Sequence, residues 1–166
     1  MKVIIPMTGL GSRFVTAGYK DPKPLIRVDG KPMIEHVMNL MPGEQDVIYV
    51  CNENHKATSM EQELKRISPH CTILWRTKDR GPVPAVLEAE GYIDDQSPYM
   101  VSYCDFGGWW DYDGFKKAVA VSKCDAALPA YIGFHPHLLN KALYASMRVS
   151  KDMWLEEIRE KYCFTA

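Results

Sequence analysis

The sequence predicts an α/β protein of the layered, Rossmann-like type, with a mostly parallel central sheet flanked by helices. Strand-like runs rich in β-branched residues alternate four times with helix-like segments, which is typical of this fold class. The first of these runs ends directly in a glycine-rich turn. With 166 residues, 46% of them hydrophobic and 25% charged, the chain has the composition of one globular domain that buries a core.

The first predicted strand is Lys2–Met7, a β-branched run that the following glycines bound. Residues 31–40 are predicted to form a helix, because their apolar residues are spaced for one helix face and Pro32 suits a first helical turn. The next strand is expected at residues 46–51.

Asn54 is expected to cap a helix over residues 55–67, whose apolar residues recur on one face. Residues 72–75 then suit a third strand, and residues 83–92 suit a helix. Residues 99–104 are predicted to form a central strand of the sheet.

Asp111 or Asp113 can cap a helix that ends near Ser122, and residues 126–130 suit a further strand. After this point the pattern loosens, and residues 131–153 are predicted to be irregular, with a short helix near residues 138–146. Residues 154–161 fit a helix or a strand equally well.

Charge and composition exclude several classes of protein. The formal net charge of −1 argues against nucleic acid or an anionic membrane as a general partner. The N-terminal apolar run stops at Met7, too short for a signal peptide or a membrane span. The cysteines are odd in number and lack zinc-site spacing, which favours reduced thiols and a cytoplasmic location: Cys51, Cys71, Cys104, Cys124 and Cys163.

The glycine turn is the strongest functional feature of the sequence. Gly9 and Gly11 follow the first strand, but Phe14 stands where a dinucleotide fingerprint needs its third glycine. A P-loop is also excluded, since no Gly-Lys-Ser or Gly-Lys-Thr occurs. The N–H groups from Thr8 to Arg13 can instead form a nest for an anion.

Two basic residues are suited to bind phosphate beside this turn. Arg13 offers a bidentate guanidinium, which Lys could not reproduce. Lys23 stands between Pro22 and Pro24, which are predicted to hold it in an extended segment and so to aim its ammonium group. Each residue taken alone also fits an ordinary surface turn; their combination is more specific.

These motifs carry a family resemblance. The segments "GLGSRF" and "DPKPLIRVDGKPMIEHV" resemble the sugar-phosphate nucleotidyltransferases, also called nucleoside-diphosphate-sugar pyrophosphorylases, and in particular their smaller members from capsule and surface-polysaccharide loci. The resemblance is strong over residues 1–37, patchier through "GPVPAVLEAEG" and "YMVSYCDF", and returns in "GFHPHLL" and "WLEEIREK". It implies the nucleotide-diphospho-sugar transferase type of fold.

The resemblance also implies an activity and its site. Such enzymes use Mg²⁺ and transfer a nucleoside monophosphate from an NTP to a phosphorylated sugar or another small phosphate ester, releasing pyrophosphate. By resemblance, Arg13 clamps the β- and γ-phosphates and Lys23 contacts the α-phosphate. The implied nucleotide-binding residues are Met7, Thr8, Gly9, Gly11, Ser12 and Gly81. CTP or UTP is the expected nucleotide, and a homo-oligomer is a possible assembly.

Asp105 is the candidate metal ligand. It follows the predicted strand at residues 99–104, where a carboxylate can hold Mg²⁺ against triphosphate oxygens. From the residues alone, a loop or helix-capping aspartate is an equal interpretation. The resemblance favours the metal, because the family places its magnesium aspartate at the end of this strand.

The acceptor is expected to meet the C-terminal end of the sequence. Glu160 and Lys161 match the pair that relatives place on the acceptor, although Tyr162 replaces the usual proline. A charged surface strand is the alternative interpretation of this pair. His135 and His137 lack a third ligand at zinc-site spacing, so they are more typical of the lip of an acceptor pocket.

The resemblance implies one nucleotidyltransferase domain over residues 1–166 that lacks the C-terminal strands of the full family domain. Three alternatives follow. A cytidylyltransferase specific for CTP and acting on a non-sugar phosphate fits the unusual "GPVPAV" segment, where prolines replace commoner small residues. A nucleotide-binding but inactive module fits the short chain. An NAD-dependent oxidoreductase is disfavoured by Phe14.

Overall fold

A computed structural model of the chain describes residues 1–77, 81–94, 97–133 and 144–164. The chain divides into two compact units, Met1–Ser122 and Lys123–Ala166. The prediction of one domain over residues 1–166 stays a prediction. None of the described helices combines the length and the apolar character that crossing a membrane requires.

The first unit is an α/β layer structure. In chain order its elements are β1 (Lys2–Met7), α1 (Ser12–Thr16), β2 (Arg27–Val28), β3 (Lys31–Pro32), α2 (Met33–Met38), β4 (Val47–Asn52), α3 (Met60–Ile67), β5 (Thr72–Arg76), α4 (Pro82–Leu87), β6 (Tyr99–Val101) and α5 (Tyr112–Ser122). Its four main strands form one parallel sheet, in the spatial order β5-β4-β1-β6.

The two inner strands are apolar because both of their faces are covered. Successive side chains of a strand point to opposite faces, so Val3 and Ile5 pack on one side with α2, α3 and the start of α5. Ile4 packs on the other side, with Ala85 of α4. Helices on both faces of a parallel sheet confirm the predicted layered α/β fold.

All four strands are parallel, so their carboxyl ends meet at one edge of the sheet. Met7 at the end of β1 lies beside Cys51 near the end of β4. Ile4 lies beside Val101, the last residue of β6. The segments that follow β1, β4 and β6 therefore converge, and ligands of open α/β folds bind at this kind of edge.

The helix predicted over residues 31–40 begins two residues late. Lys31 and Pro32 pair with Val28 and Arg27 in a short antiparallel ribbon, so the helix starts at Met33. The cap predicted at Asn54 is wrong as well. The side chain of Asn52 accepts from the N–H of Asn54, and a 3₁₀ turn separates this cap from α3.

The strand predicted over residues 99–104 is shorter and lies elsewhere in the sheet. It ends at Val101, and within the described sheet it occupies the edge beside β1, so the prediction of a central position was wrong. The helix predicted over residues 83–92 is divided into α4 and a 3₁₀ turn. Asp111 caps α5, since its Oδ1 accepts from the Gly114 N–H at 2.8 Å.

The second unit contains an antiparallel pair, β7 (Ala145–Val149) and β8 (Leu155–Glu160). The ambiguous stretch at residues 154–161 is thus mainly a strand. The strand predicted at residues 126–130 was wrong: these residues are exposed and have no ladder partner in the described part of the unit. Of the helix predicted near residues 138–146, positions 138–143 lie outside the described residues, as do His135 and His137, and Ala145 belongs to β7.

Candidate functional site

The glycine turn follows β1 at the carboxyl edge of the sheet. Thr8 is buried, whereas Gly9 and Leu10 are exposed. Gly11 has φ of 65°, in the left-handed region where a side chain is strained. A Cβ at Gly11 would also lie 3.2 Å from Cβ of Lys23, so glycine lets the turn and the lysine segment approach closely.

The turn presents backbone donors. Among the described residues, the N–H groups of residues 9–13 have no hydrogen-bond acceptor. The carbonyl of Gly11, in contrast, accepts from Phe14 at 2.8 Å and from Val15 at 3.2 Å. A run of neighbouring N–H groups without acceptors is the arrangement that binds a phosphate oxygen.

Lys23 is fixed by a turn rather than by the extended segment predicted for it. The N–H of Leu25 donates to the carbonyl of Pro22 at 2.8 Å, and Lys23–Leu25 form one 3₁₀ turn. Pro24 and Leu25 are buried beneath this turn, because their rings and methyl groups join the core. The ammonium group of Lys23 lies 5.6 Å from the centre of the Phe14 ring, a cation–π contact.

The ammonium group of Lys23 also pairs with the carboxylate of Asp105. The chain after β6 continues beside β1, since the N–H of Ser102 donates to the carbonyl of Ile4 at 3.1 Å. This continuation carries Asp105 to the edge where the glycine turn begins. The structure thus brings together Gly11, Lys23 and Asp105.

Cys104 anchors the segment that carries Asp105. Its side chain is buried, while Asp105 itself is exposed. Burial, with a smaller contribution from the neighbouring Asp105 charge, raises the pKa of the Cys104 thiol to about 11. The thiol therefore stays protonated at neutral pH and is not a nucleophile.

Arg13 and Ser12 lie in the first turn of α1, directly after Gly11. The guanidinium of Arg13 is exposed and pairs with no carboxylate among the described residues. An arginine in this state is available to an anionic ligand.

Gly81 lies directly before α4, with φ of 92° and ψ of 177°, a conformation that essentially only glycine adopts. Pro82 and Pro84 follow it and have no backbone N–H. Contacts of α4 with β1, through Ala85 and Ile4, fix the position of this turn in the first unit. Its role in binding a base stays a prediction.

Glu160 and Lys161 belong to the second unit. Glu160 ends β8, opposite Ala145, and the Lys161 N–H donates to the Tyr144 carbonyl at 3.0 Å. The ammonium group of Lys161 is 3.7 Å from a carboxylate oxygen of Glu160, and both side chains are largely exposed. Their role at the acceptor stays a prediction.

The sequence did not identify Asn52 and Phe14 as parts of the site. Asn52 is buried, and its Nδ2 donates to the carbonyl of Thr8 at 2.7 Å. The pattern that could have identified Asn52 is a polar residue at the end of an otherwise apolar strand. A buried amide needs hydrogen-bond partners, so such a residue is expected to connect to a neighbouring segment.

The residues present fit a magnesium ion that takes one protein carboxylate and completes its shell with nucleotide oxygens and water. No cluster of three or more His, Cys, Asp or Glu suited to a metal is found among the described residues. Mg²⁺ is usually bound by one or two carboxylates, with substrate phosphates and water completing its shell. Asp105 already binds a cation, the Lys23 ammonium, and is the carboxylate that suits this role.

A cavity of about 180 Å³ lies elsewhere on the first unit and contains none of the predicted site residues. Within it, the guanidinium of Arg27 is 3.4 Å from the Glu63 carboxylate. The candidate site is the open edge of the sheet and not this cavity.

Comparison with known proteins gives a family match over residues 3–160, to the MobA-like NTP transferase domain. Among curated relatives, the UTP–glucose-1-phosphate uridylyltransferase of Haemophilus ducreyi is 37% identical over 38% of this chain and 24% of its own length. The glucose-1-phosphate cytidylyltransferase of Salmonella typhimurium is 26% identical, over 63% of this chain and 50% of its own. The chain thus spans from about a quarter to half of the length of these relatives.

Solved structures share the fold. The nucleoside-diphosphate-sugar pyrophosphorylase from Vibrio cholerae superposes with a TM-score of 0.72 at 19% identity, over 98% of this chain and 68% of that one. The inositol-1-phosphate CTP transferase from T. maritima gives 0.67 at 15% identity, over 99% and 65%. These likenesses confirm the predicted fold class.

Proposed function

The chain belongs to the MobA-like NTP transferase family, and on that premise we propose that it transfers a nucleoside monophosphate from an NTP to a small phosphate ester. Pyrophosphate is the second product. A sugar phosphate is the acceptor we favour, because curated relatives are named for glucose-1-phosphate.

One observation carries this proposal: the ion pair between Lys23 and Asp105 lies against the turn at Gly11. A triphosphate needs donors and cations in one place, and this edge offers free N–H groups, an ammonium group and an exposed guanidinium. A carboxylate for the metal stands beside them. The match to an NTP transferase family and this set of donors, cations and a carboxylate both support an NTP as the ligand.

In this proposal the protein acts by position and charge. The N–H groups of the turn and the guanidinium of Arg13 bind the β- and γ-phosphates, which become the leaving pyrophosphate. The ammonium of Lys23 leaves Asp105 and binds the α-phosphate, where negative charge increases in the transition state. Such donors stabilise the transition state more than the ground state, which is what accelerates the reaction.

No general base is required. The acceptor is a phosphate monoester with a second pKa of about 6, so most of it is a dianion at neutral pH and already nucleophilic. A phosphate oxygen attacks the α-phosphorus, and the bond from this phosphorus to the bridging oxygen of the leaving pyrophosphate breaks. Lys161 and Glu160 are the proposed contacts of the acceptor.

Asp105 is the proposed magnesium ligand. When bound, Mg²⁺ would neutralise triphosphate oxygens and so reduce the repulsion between nucleotide and acceptor. The carboxylate is partly exposed and holds a cation already, which suits an ion that arrives with its nucleotide.

Gly81 and the backbone at Met7 and Thr8 are the proposed base contacts, and CTP or UTP is the nucleotide we favour. A role in capsule or surface-glycan precursor synthesis, a cytoplasmic location and a homo-oligomeric state belong to the same proposal. The two prolines after Gly81 remove donors from the segment proposed to read the base, which keeps a CTP-specific enzyme acting on a non-sugar phosphate as the alternative.

A second candidate is a module that binds the nucleotide without turnover. The groups that carry the first proposal, the Lys23–Asp105 ion pair and the turn at Gly11, concern nucleotide binding and not turnover. This module would bind the nucleotide at the same groups, which we call the triphosphate cradle (the N–H groups of residues 9–13, the guanidinium of Arg13 and the ammonium of Lys23), and would form no product.

A pyrophosphate-release assay separates these possibilities. Each of the four NTPs is incubated with Mg²⁺ and a panel of sugar phosphates and non-sugar phosphates. Release that depends on one NTP and one acceptor supports the transferase, and the preferred pair identifies the substrate. Nucleotide binding without release supports the binding module, and the absence of both contradicts the proposal.

A further inference from the structure

Asn52 connects the ends of β1 and β4. It is the last residue of β4, and its side chain is only 2% exposed. The Nδ2 group donates to the Thr8 carbonyl at 2.7 Å, while Oδ1 accepts from the Asn54 N–H at 3.0 Å. A carbonyl can only accept and an N–H can only donate, so these two partners fix the orientation of the amide.

The bond to Thr8 determines which way the next peptide group faces. Thr8 is buried, and its carbonyl would lose a partner without the Asn52 amide. In a trans peptide the C=O and N–H groups point in opposite directions, and the described chain contains no cis peptide bond. With the Thr8 carbonyl directed to Asn52, the N–H of Gly9 points away from Asn52 and the end of β4.

The N–H of Gly9 is thereby available. Gly9 is exposed, and among the described residues its N–H has no acceptor. It is the first of the run of free N–H groups that ends at Arg13. Glycine at this position leaves the N–H open to a ligand, since no side chain covers it.

We propose that Asn52 is a positioning residue for the nucleotide: by binding the Thr8 carbonyl, it holds the Gly9 N–H towards a triphosphate oxygen. This inference rests on the proposed function. It assigns to a buried amide that does not touch the ligand a specific effect on nucleotide affinity, beyond its contribution to stability.

The most informative variant is Asn52→Asp. It preserves the side-chain size and the acceptor for the Asn54 N–H, but it places a carboxylate oxygen against the Thr8 carbonyl. The two oxygens repel each other, so the peptide between Thr8 and Gly9 is expected to rotate. We expect the dissociation constant for the NTP to rise about tenfold, the value of one hydrogen bond to a charged group, with a smaller effect on kcat than on KM.

Ser68→Ala is the matched structural control. It removes the buried hydrogen bond between Ser68 and Tyr49, which also lies on β4. The control is expected to lower thermal stability and to leave NTP affinity unchanged. A decrease in affinity equal to that of Asn52→Asp would show that general destabilisation accounts for the effect, which overturns the proposal.

Backbone NMR provides a test in the wild-type protein that does not depend on any variant. On addition of CTP or UTP with Mg²⁺, the Gly9 amide proton is expected to shift downfield, and this shift is expected to be lost in Asn52→Asp. A wild-type protein that binds nucleotide without a shift at Gly9 overturns the role of Asn52 and leaves the proposed function intact. A wild-type protein that binds no NTP overturns both.

Discussion

The ammonium group of Lys23 forms an ion pair with the carboxylate of Asp105, which lies 82 residues further along the chain. The pair joins the turn that follows β1 to the segment that follows β6. It also places a cation on the carboxylate that suits a metal. In the proposed function, the nucleotide and its metal compete with this internal ion pair for both partners.

Lys23→Ala is expected to lower the rate of pyrophosphate release about 10²- to 10³-fold, the usual effect of losing one charged donor in the transition state. The fold is expected to remain intact, because Lys23 is partly exposed and the residues that fix its turn, Pro24 and Leu25, are unchanged. Steady-state kinetics and circular dichroism check both expectations.

Lys56→Ala is the control for this variant. Lys56 also combines an ion pair, with Glu53, and a cation–π contact, 5.8 Å from the Trp75 ring centre. Turnover in this control is expected to stay at the wild-type level. Near-normal turnover in Lys23→Ala would contradict the proposed role of the lysine.

The same Lys23→Ala variant is expected to bind a divalent metal more tightly when no nucleotide is present. Without the ammonium group, Asp105 is free, and Mn²⁺ affinity should increase about two- to fivefold, the range for a partly exposed ion pair. Electron paramagnetic resonance of Mn²⁺ measures the free ion directly. Asp105→Asn is expected to abolish this metal binding, and weaker binding in Lys23→Ala would contradict the competition.

Gly11→Ala is expected to lose nucleotide affinity. The new Cβ lies 3.2 Å from Cβ of Lys23, and the alanine must adopt a backbone φ of 65°. Both the turn and the lysine are therefore expected to be displaced. Gly43→Ala is the matched control, because its φ of 86° is similarly unfavourable and nothing lies within 4 Å of its Cβ position. Both variants should lose about 1–2 kcal/mol of stability, but only Gly11→Ala should weaken NTP binding in calorimetry.

Stability is expected to decrease in mild acid because of His55. Burial lowers the pKa of this histidine below its usual value near 6.5, and its Nδ1 has no hydrogen-bond partner among the described residues. A lowered pKa means that the unfolded chain binds the proton more readily, so this stability is present above pH 6.5 and is lost as the pH falls through the folded-state value.

Urea denaturation at pH 7.5 and pH 5 measures this effect. The free energy of unfolding should decrease more for the wild type than for His55→Gln, which carries no titratable ring. His70→Gln, at an exposed position, should behave as the wild type. An equal decrease in all three proteins would show that His55 does not contribute.

The sequence determined the layers of the fold better than the limits of its elements. The apolar runs at Lys2–Met7 and at residues 46–51 predicted buried strands, because only strands covered on both faces need such composition. The start of α2 could not be predicted, since Lys31 and Pro32 pair with residues that precede them in a ribbon too short to leave a pattern. The order of strands, which places β6 at the described edge, depends on long-range packing.

The parts of the candidate site that a single local sequence motif specifies could be predicted. Glycines after a strand indicated the turn, and the two prolines indicated that Lys23 was fixed, although its 3₁₀ turn was not foreseen. The pairing of Lys23 with Asp105 and the bond from Asn52 to Thr8 join distant segments, so they could not be derived from local patterns. The acceptor role of Lys161, in the second unit, stays a proposal.

Calorimetric titration of an NTP with Mg²⁺, without acceptor, tests the triphosphate cradle most directly, because it needs neither turnover nor the acceptor site. We expect CTP or UTP to bind the wild-type protein, and Arg13→Ala and Lys23→Ala each to bind at least tenfold more weakly, the range for a lost hydrogen bond to a charged group. Wild-type affinity in both variants, or the absence of NTP binding by the wild type, would contradict the cradle.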